Sequence, residues 1–168
     1  MMPLLPPQSA DRIRASTVRP TKPVDGDIYF DTTDHELYFY DSVRGKWLSV
    51  SMEFFDSGYS GTPSTGTTLK SSFGTVQGNG SRGWIPPHAI TIVGMKGTTN
   101  NTFTGNMTVR ENTTNTVAAI LFSSSKESTN MTLDYDFDIT KHMLVKINIT
   151  SGAPTNPTCR VYYRRLKA

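Results

Sequence analysis

The second half of the chain is built from short apolar segments that residues favouring turns separate at regular intervals. Candidate strands recur every ~10–15 residues, a spacing typical of sandwiches and unlike that of strand–helix units. They lie at 89–95, 106–110, 117–122, 131–137, 143–149 and 158–165. The pattern predicts an all-β fold in which residues 84–168 form a jelly-roll-like β-sandwich.

Polar clusters at 97–101, 111–115, 123–130 and 151–157 are predicted as the turns between these strands. Alternation of apolar and polar residues then selects the side chains that face the interior. The predicted core consists of Ile90, Ile92, Met107, Val109, Leu121, Leu133, Phe137, Val145, Ile147, Ile149 and Val161.

Composition agrees with this fold class and excludes several others. Charged residues make up only 18% of the chain, and Thr, Ser and Asn, which favour strands and turns, are abundant. The single Cys excludes a disulfide scaffold and a cysteine-based zinc site. We expect no membrane helix, because no apolar run reaches the required ~18 residues, and no secretory signal at the N-terminus.

Residues 26–50 predict a small three-stranded β-meander. Strands are expected at 28–30, 37–40 and 47–50, with turns at 31–34 and 41–45. The expected apolar cluster consists of Ile28, Phe30, Leu37, Phe39 and Trp47. So short a module buries little area, and we expect it to pack on a neighbour, such as a copy of itself.

The remaining segments divide the chain into four predicted regions. Residues 1–25 hold five prolines and are either a disordered tail or an extended arm that orders on a partner, with Leu4, Leu5, Ile13 and Val18 as its anchors. Residues 26–55 are the meander and a predicted anchoring module. Residues 56–83 are a Gly/Ser/Thr-rich connector with one strand at 69–76, and residues 84–168 are the sandwich.

Charge is divided unevenly along the chain. Residues 1–60 hold nine acidic and six basic side chains, whereas residues 61–168 hold five acidic and eleven basic ones. Strand alternation places Arg160, Tyr162 and Arg164 on one face and Cys159 on the other. Three interpretations of the Arg160 face remain open. It contacts phosphate or glycan, it is a solvated strand face, or its charge complements an acidic partner.

Several motifs point to chemistry, but their context does not support it. A G-x-G-x-x-G match at 78–83 precedes Pro86 and Pro87, which prevent the helix that a nucleotide site needs. Asp134, Asp136 and Asp138 alternate along one strand face without the loop that calcium requires. The three His are isolated in sequence, and Cys159 is expected to be buried. We therefore predict no catalytic residue, cofactor or metal site.

Two stretches resemble proteins of tailed-bacteriophage virions. PVDGDIYFDTT at 23–33, LYFY at 37–40 and Trp47 are similar to a meander of fibres and of head or tail appendages. GWIP at 83–86, AITIVG at 89–94, NMTVR at 106–110 and DFDI at 136–139 are similar to a β-sandwich of decoration and fibre proteins.

This resemblance implies a non-enzymatic virion surface protein, assembled in the host bacterial cytoplasm as a homotrimer. The expected type is a capsid decoration or head-fibre protein. Its N-terminal region would bind the major capsid protein or other virion proteins, without nucleic acid or membrane. The alternative is a short tail fibre or tail appendage that binds host-surface glycan. The partner-binding residues expected are Leu4, Leu5, Ile13, Val18, Tyr29, Phe30, Tyr38, Tyr40 and Trp47.

Overall fold

The computed structural model describes residues 13–71, 83–112 and 115–167. Regular structure in these ranges is β-strand, which confirms the predicted all-β class. Across the same ranges there is no helix long and apolar enough to span a membrane. The chain divides into two compact units, one reaching to Val50 and including Lys167, the other covering 51–166.

The first unit is a sheet of four short strands. They are β1 (Arg14–Ser16), β2 (Ile28–Asp31), β3 (Glu36–Asp41) and β4 (Lys46–Ser49). Strands β2, β3 and β4 form the predicted antiparallel meander, and β1 pairs with β2 in parallel. The strand β1 lies in the Pro-rich region where no sheet is expected from sequence.

Asp residues shape both turns of the meander, as their side chains predict. Asp31 Oδ1 accepts hydrogen bonds from the backbone N–H groups of Thr33 (2.8 Å) and Asp34 (3.1 Å). Asp41 Oδ1 accepts one from the Arg44 N–H (3.0 Å), and Gly45 follows at a φ of 65°. These side chains satisfy backbone donors that the tight turns leave without a strand partner.

Of the predicted interior of the meander, Trp47 is buried, Phe30, Leu37 and Phe39 are half-buried, and the burial of Ile28 is wrong. The buried cluster consists of Tyr29, Tyr38 and Trp47, with Tyr40 packed against it, whereas Ile28 is 47% exposed. Tyr rings can be buried here because their hydroxyls reach carboxylates, as Tyr38 Oη does at Asp34 (3.0 Å). The sequence-based cluster also mixes two faces, since Trp47 lies opposite Tyr40 and not beside Ile28.

The second unit contains eight strands. They are β5 (Glu53–Gly58), β6 (Thr67–Thr68), β7 (Lys70–Ser71), β8 (Ile90–Glu111), β9 (Asn115–Asn130), β10 (Tyr135–Phe137), β11 (Met143–Gly152) and β12 (Thr158–Lys167). Strands β5 to β7 fall in residues that the sequence predicts as the end of the meander and as connector. The part of the predicted strand 69–76 beyond Ser71 lies outside the described residues.

Strand β8 organises this unit because it pairs along both edges. Strand β9 follows one edge over most of its length. On the other edge, β12 pairs with the first half of β8 and β11 with the second half. Strand β5 pairs with β12, β7 with β5, and β6 with β11. Leu69 alone separates β6 from β7, so these pairings connect β8, β12, β5, β7, β6 and β11 in a ring.

The core of the second unit follows the predicted alternation with one clear exception. Ile90, Ile92, Met107, Val109, Phe137, Val145, Ile147 and Val161 are buried as predicted, and Leu133 and Ile149 pack against the cluster in part. Leu121 is 73% exposed, so its predicted burial is wrong. Ile120 and Phe122 on either side face inward, and alternation then directs Leu121 outward, opposite Asn106.

Two predicted turns are strand instead. Thr98, in the segment 97–101, pairs with Glu127, in the segment 123–130, inside the β8–β9 ladder. The register shifts between Thr98 and Phe103, so polar residues are accommodated as irregularities of a continuous strand. Thr favours strands, and here that preference outweighs the turn tendency of the neighbouring Gly and Asn.

Candidate binding groove on the second unit

A groove of about 630 Å³ opens on the outer face of β5, β7, β8 and β12. Its lining includes Asp56, Gly58, Lys70, Lys96, Thr98, Thr158, Arg160 and Tyr162. Strand alternation directs the Thr158, Arg160 and Tyr162 side chains of β12 outward, because the alternate residues, Cys159, Val161 and Tyr163, are buried in the core. The predicted outward placement of Arg160 and Tyr162 is confirmed by this burial pattern.

Register arranges the lining side chains in rows across the strands. Thr158 lies opposite Gly58 on one side and Thr98 on the other. In the next row, Arg160 lies between Asp56 and Lys96. Directly opposed residues on adjacent strands have Cβ atoms about 5 Å apart, so each row forms one continuous surface.

Arg160 is fixed at the centre of the groove. Its Nε and Nη2 donate to Oδ1 and Oδ2 of Asp56, both at 2.7 Å. Its Cζ also lies 4.0 Å from the centroid of the Phe54 ring, in the geometry of a cation–π contact. The hydrogen bond to Asp56 raises the pKa of Arg160 above its ordinary value. The guanidinium is therefore a positioned and permanently charged donor.

The floor of the groove is low where Gly58 lies. Gly58 sits between Lys70 and Thr158 in the row and contributes no side chain. A Cβ at this position would lie 3.4 Å from the Pro157 carbonyl oxygen and 3.6 Å from Thr158 Cγ2, which is ordinary contact. The depression is therefore due to the missing side chain and not to a backbone that only glycine can adopt.

The polar surface around this depression is cationic and rich in hydroxyl groups. Lys70 is exposed, and the Lys96 side chain is 45% exposed, with its Nζ 3.8 Å from Glu127. Thr98 and Thr158 share a hydrogen bond between their hydroxyls at 2.7 Å. The lining thus presents three cations against the single carboxylate of Asp56.

Among the described residues, those predicted to bind a partner do not line this groove. Tyr29, Tyr38 and Trp47 are buried in the first unit, where they hold its strands together. Phe30 and Tyr40 are half-buried, and Ile13 and Val18 are 53% and 65% exposed. Leu4 and Leu5 lie outside the described residues.

The aspartates predicted on one strand face have structural contacts. Asp136 accepts a hydrogen bond from Thr91 Oγ1 (2.6 Å), and Asp138 accepts two from Thr140, through its N–H and its Oγ1, both at 2.8 Å. In the described part of the chain, no three His, Cys, Asp or Glu side chains are grouped to hold a metal ion. Most of the G-x-G-x-x-G segment lies outside the described residues.

Cys159 is buried beneath the groove face, as the sequence predicts. Burial, and secondarily the charge of Asp56, raises the pKa of its thiol to about 12. A thiol of that pKa is protonated near neutral pH and is a poor nucleophile.

Comparison with known proteins adds no assignment. Neither a protein-family model nor a curated protein matches the chain.

Sequence reasoning found Arg160 and Tyr162 but missed the residues that complete the groove. Asp56 and Gly58 lie in a stretch predicted as connector, and Thr98 in one predicted as a turn. The available signal was the aromatic pair Phe54 and Phe55 in the segment 53–58, because aromatic residues favour strands.

Proposed function

We propose that this chain is a structural protein on the surface of a tailed-bacteriophage particle, of the capsid decoration or head-fibre type. It acts by binding and not by catalysis. Its support is the resemblance of residues 23–47 to virion meanders, together with the roles these residues have in the first unit. Asp31 shapes the first turn, and Tyr29 packs edge-on against Trp47 with ring centroids 4.8 Å apart.

The main structural support for this proposal is an apolar face of the first unit. Register places Ile28 beside Phe39, and Phe30 beside both Leu37 and Ala15. Extending the β1–β2 register by one residue brings Ile13 next to Ile28. Ile13 and Ile28 are about half exposed, and Phe30 and Leu37 are half-buried. A contiguous apolar surface of this kind is typical of protein–protein contact.

The proposed occupant of this face is the particle protein that anchors the chain, most simply the major capsid protein. The homotrimeric state is part of the same proposal, with the second unit facing outward. Analytical ultracentrifugation tests the stoichiometry, because a monomer at micromolar concentration would contradict the trimer.

Binding to particles that lack this protein tests the proposal directly. We expect purified wild-type chain to co-sediment with such particles and gold-labelled antibody to mark their heads. Ile28→Asp places a charge on the apolar face and should abolish co-sedimentation. Val43→Asp is the matched control, because Val43 is 91% exposed in the second turn of the meander. Absence of wild-type binding to any part of the particle would refute the proposal.

A tail-associated adhesin is the second candidate, and the groove on the second unit favours it. Arg160, Tyr162 and the threonine hydroxyls offer the combination of charge, ring and hydroxyl that recognises small polar ligands. Gold label on tails instead of heads would select this candidate over a decoration protein.

A further inference from the structure

We propose that the groove on β5, β7, β8 and β12 binds an acidic saccharide, whose carboxylate is attracted by the lysines of the lining, Lys70 and Lys96. The inference concerns the second unit alone and holds wherever the protein sits on a particle. It assigns a ligand class to a site whose residues are brought together by strands distant in sequence.

Size and shape fit a short oligosaccharide. The groove volume of about 630 Å³ falls in the range of about 300–1,000 Å³ that small-molecule sites occupy. The low floor at Gly58 gives a sugar ring access to the hydroxyls of Thr98 and Thr158, which bond each other at 2.7 Å. Each hydroxyl can both donate and accept, so the pair can turn toward ligand hydroxyls.

Charge selects an acidic sugar over a neutral one. Arg160 is neutralised by Asp56, whereas Lys70 and Lys96 add two further cations to the lining. The Lys96 contact with Glu127 is long at 3.8 Å and largely exposed, so exchanging it for a ligand carboxylate costs little. A ligand carboxylate offsets one of these two positive charges.

Strand pairing argues against a peptide as the ligand. At this level of the sheet, Gly58, Thr158 and Thr98 each have a strand partner on both sides. A peptide cannot pair its main chain with these three residues, although main-chain pairing is the usual way that strands bind peptides. What the face offers are side-chain hydroxyls, a guanidinium and the Tyr162 ring, which match the hydroxyl groups and C–H faces of a sugar.

Isothermal titration calorimetry on the full chain tests this inference. The ligands are tetrasaccharides of glucuronate, galacturonate, mannuronate and N-acetylneuraminate, each compared with its methyl ester. Inorganic phosphate and oligoglutamate are the anion and peptide comparisons. We expect at least one acidic tetrasaccharide to bind and its ester to bind about tenfold more weakly or worse, because a charge-assisted contact is lost.

Two variants change the groove, and a third variant outside it is their control. Gly58→Val fills the floor without changing charge and should abolish binding, while Lys96→Gln should weaken it about tenfold. Lys126→Gln removes an exposed lysine of β9 outside the groove and should leave the affinity within about twofold of wild type. Gly58→Ser replaces Gly58→Val if melting curves show that the valine variant does not fold.

Four outcomes would overturn the inference. They are no binding by any acidic tetrasaccharide, equal binding of acids and esters, unchanged affinity in both Gly58 and Lys96 variants, and equal affinity for phosphate or oligoglutamate. Each is independent of particle binding, so failure here leaves the proposed virion role standing, and the reverse also holds.

Discussion

Arg160 on β12 and Asp56 on β5 lie opposite each other and share two parallel hydrogen bonds of 2.7 Å. Their side chains are 43% and 33% exposed, so solvent screens the pair. We therefore expect Asp56→Ala to lower the free energy of unfolding by only about 0.5–1 kcal/mol, as measured by urea denaturation.

The Lys96–Glu127 pair provides the control for this prediction. Its atoms are 3.8 Å apart and its side chains 45% and 68% exposed. Glu127→Ala should therefore change the free energy of unfolding by no more than about 0.3 kcal/mol. Equal losses in both variants would mean that the two-bond geometry of Arg160 adds no stability.

Trp47 is the largest side chain in the small interior of the first unit. It is 3% exposed and contacts the Tyr29 and Tyr40 rings at centroid distances of 4.8 and 5.5 Å. Trp47→Ala should cost about 3–5 kcal/mol, enough to unfold the meander. Hydrogen exchange of the β2 and β3 amides is the measurement. Val43→Ala, at an exposed turn position, should leave their protection unchanged, and wild-type protection in the Trp47 variant would contradict the prediction.

Acid should weaken the first unit through Asp31. Burial alone would raise the pKa of this carboxyl. Hydrogen bonds from Lys167 and from the backbone amides of Asp34 and Thr33 outweigh burial and hold the pKa below its ordinary value of 3.8. A depressed folded-state pKa contributes stability that is present above pH 3.8 and is lost as the pH falls through the folded-state value.

Asp31→Asn keeps the turn acceptor but removes the charge. This variant should melt below wild type at pH 7, and the difference in Tm should shrink as the pH falls below 3.8. Thr32→Ala changes an exposed side chain of the same turn and should retain the wild-type pH dependence. A Tm difference that stays constant down to pH 2 would show that the charge of Asp31 is not responsible.

Gly105 lies where β8 passes close to β11. A Cβ at this position would collide with the Asn148 carbonyl oxygen, which is held in the sheet. Gly105→Ala should therefore cost about 1–3 kcal/mol in urea denaturation, because backbone must move. Gly58→Ala meets only ordinary contacts and should cost less than about 1 kcal/mol. The reverse order of the two losses would be inconsistent with this packing.

Local sequence predicted the elements whose signals are complete within a few residues. Alternation along β12 correctly predicted that Arg160 faces outward and Val161 inward. Asp31 correctly predicted the turn that its side chain shapes. Alternation did not reveal which meander face is buried, because Ile28 and Tyr29 are both suited to a core. Tyr29 is the buried residue because its hydroxyl contacts a carboxylate, and residue spacing alone does not show that contact.

The groove was beyond local reasoning because its partners are distant. Ser57 Oγ donates to the Cys159 carbonyl across 102 residues of chain, and Asp56 meets Arg160 in the same ladder. The strand β5 is short and lies beside Gly- and Ser-rich sequence, so nothing nearby indicates its partner. Thr98 and Glu127 likewise read as turns until β8 and β9 are paired.

The closed ring of the second unit has a consequence for synthesis on the ribosome. Strand β12 pairs with both β5 and the first half of β8, so neither edge can be completed until residues 158–165 have left the exit tunnel. A chain interrupted before Thr158 would expose two unpaired edges at once, which makes truncated products prone to aggregation. Complete translation and correct assembly of this protein are therefore tied to the same ten-residue strand.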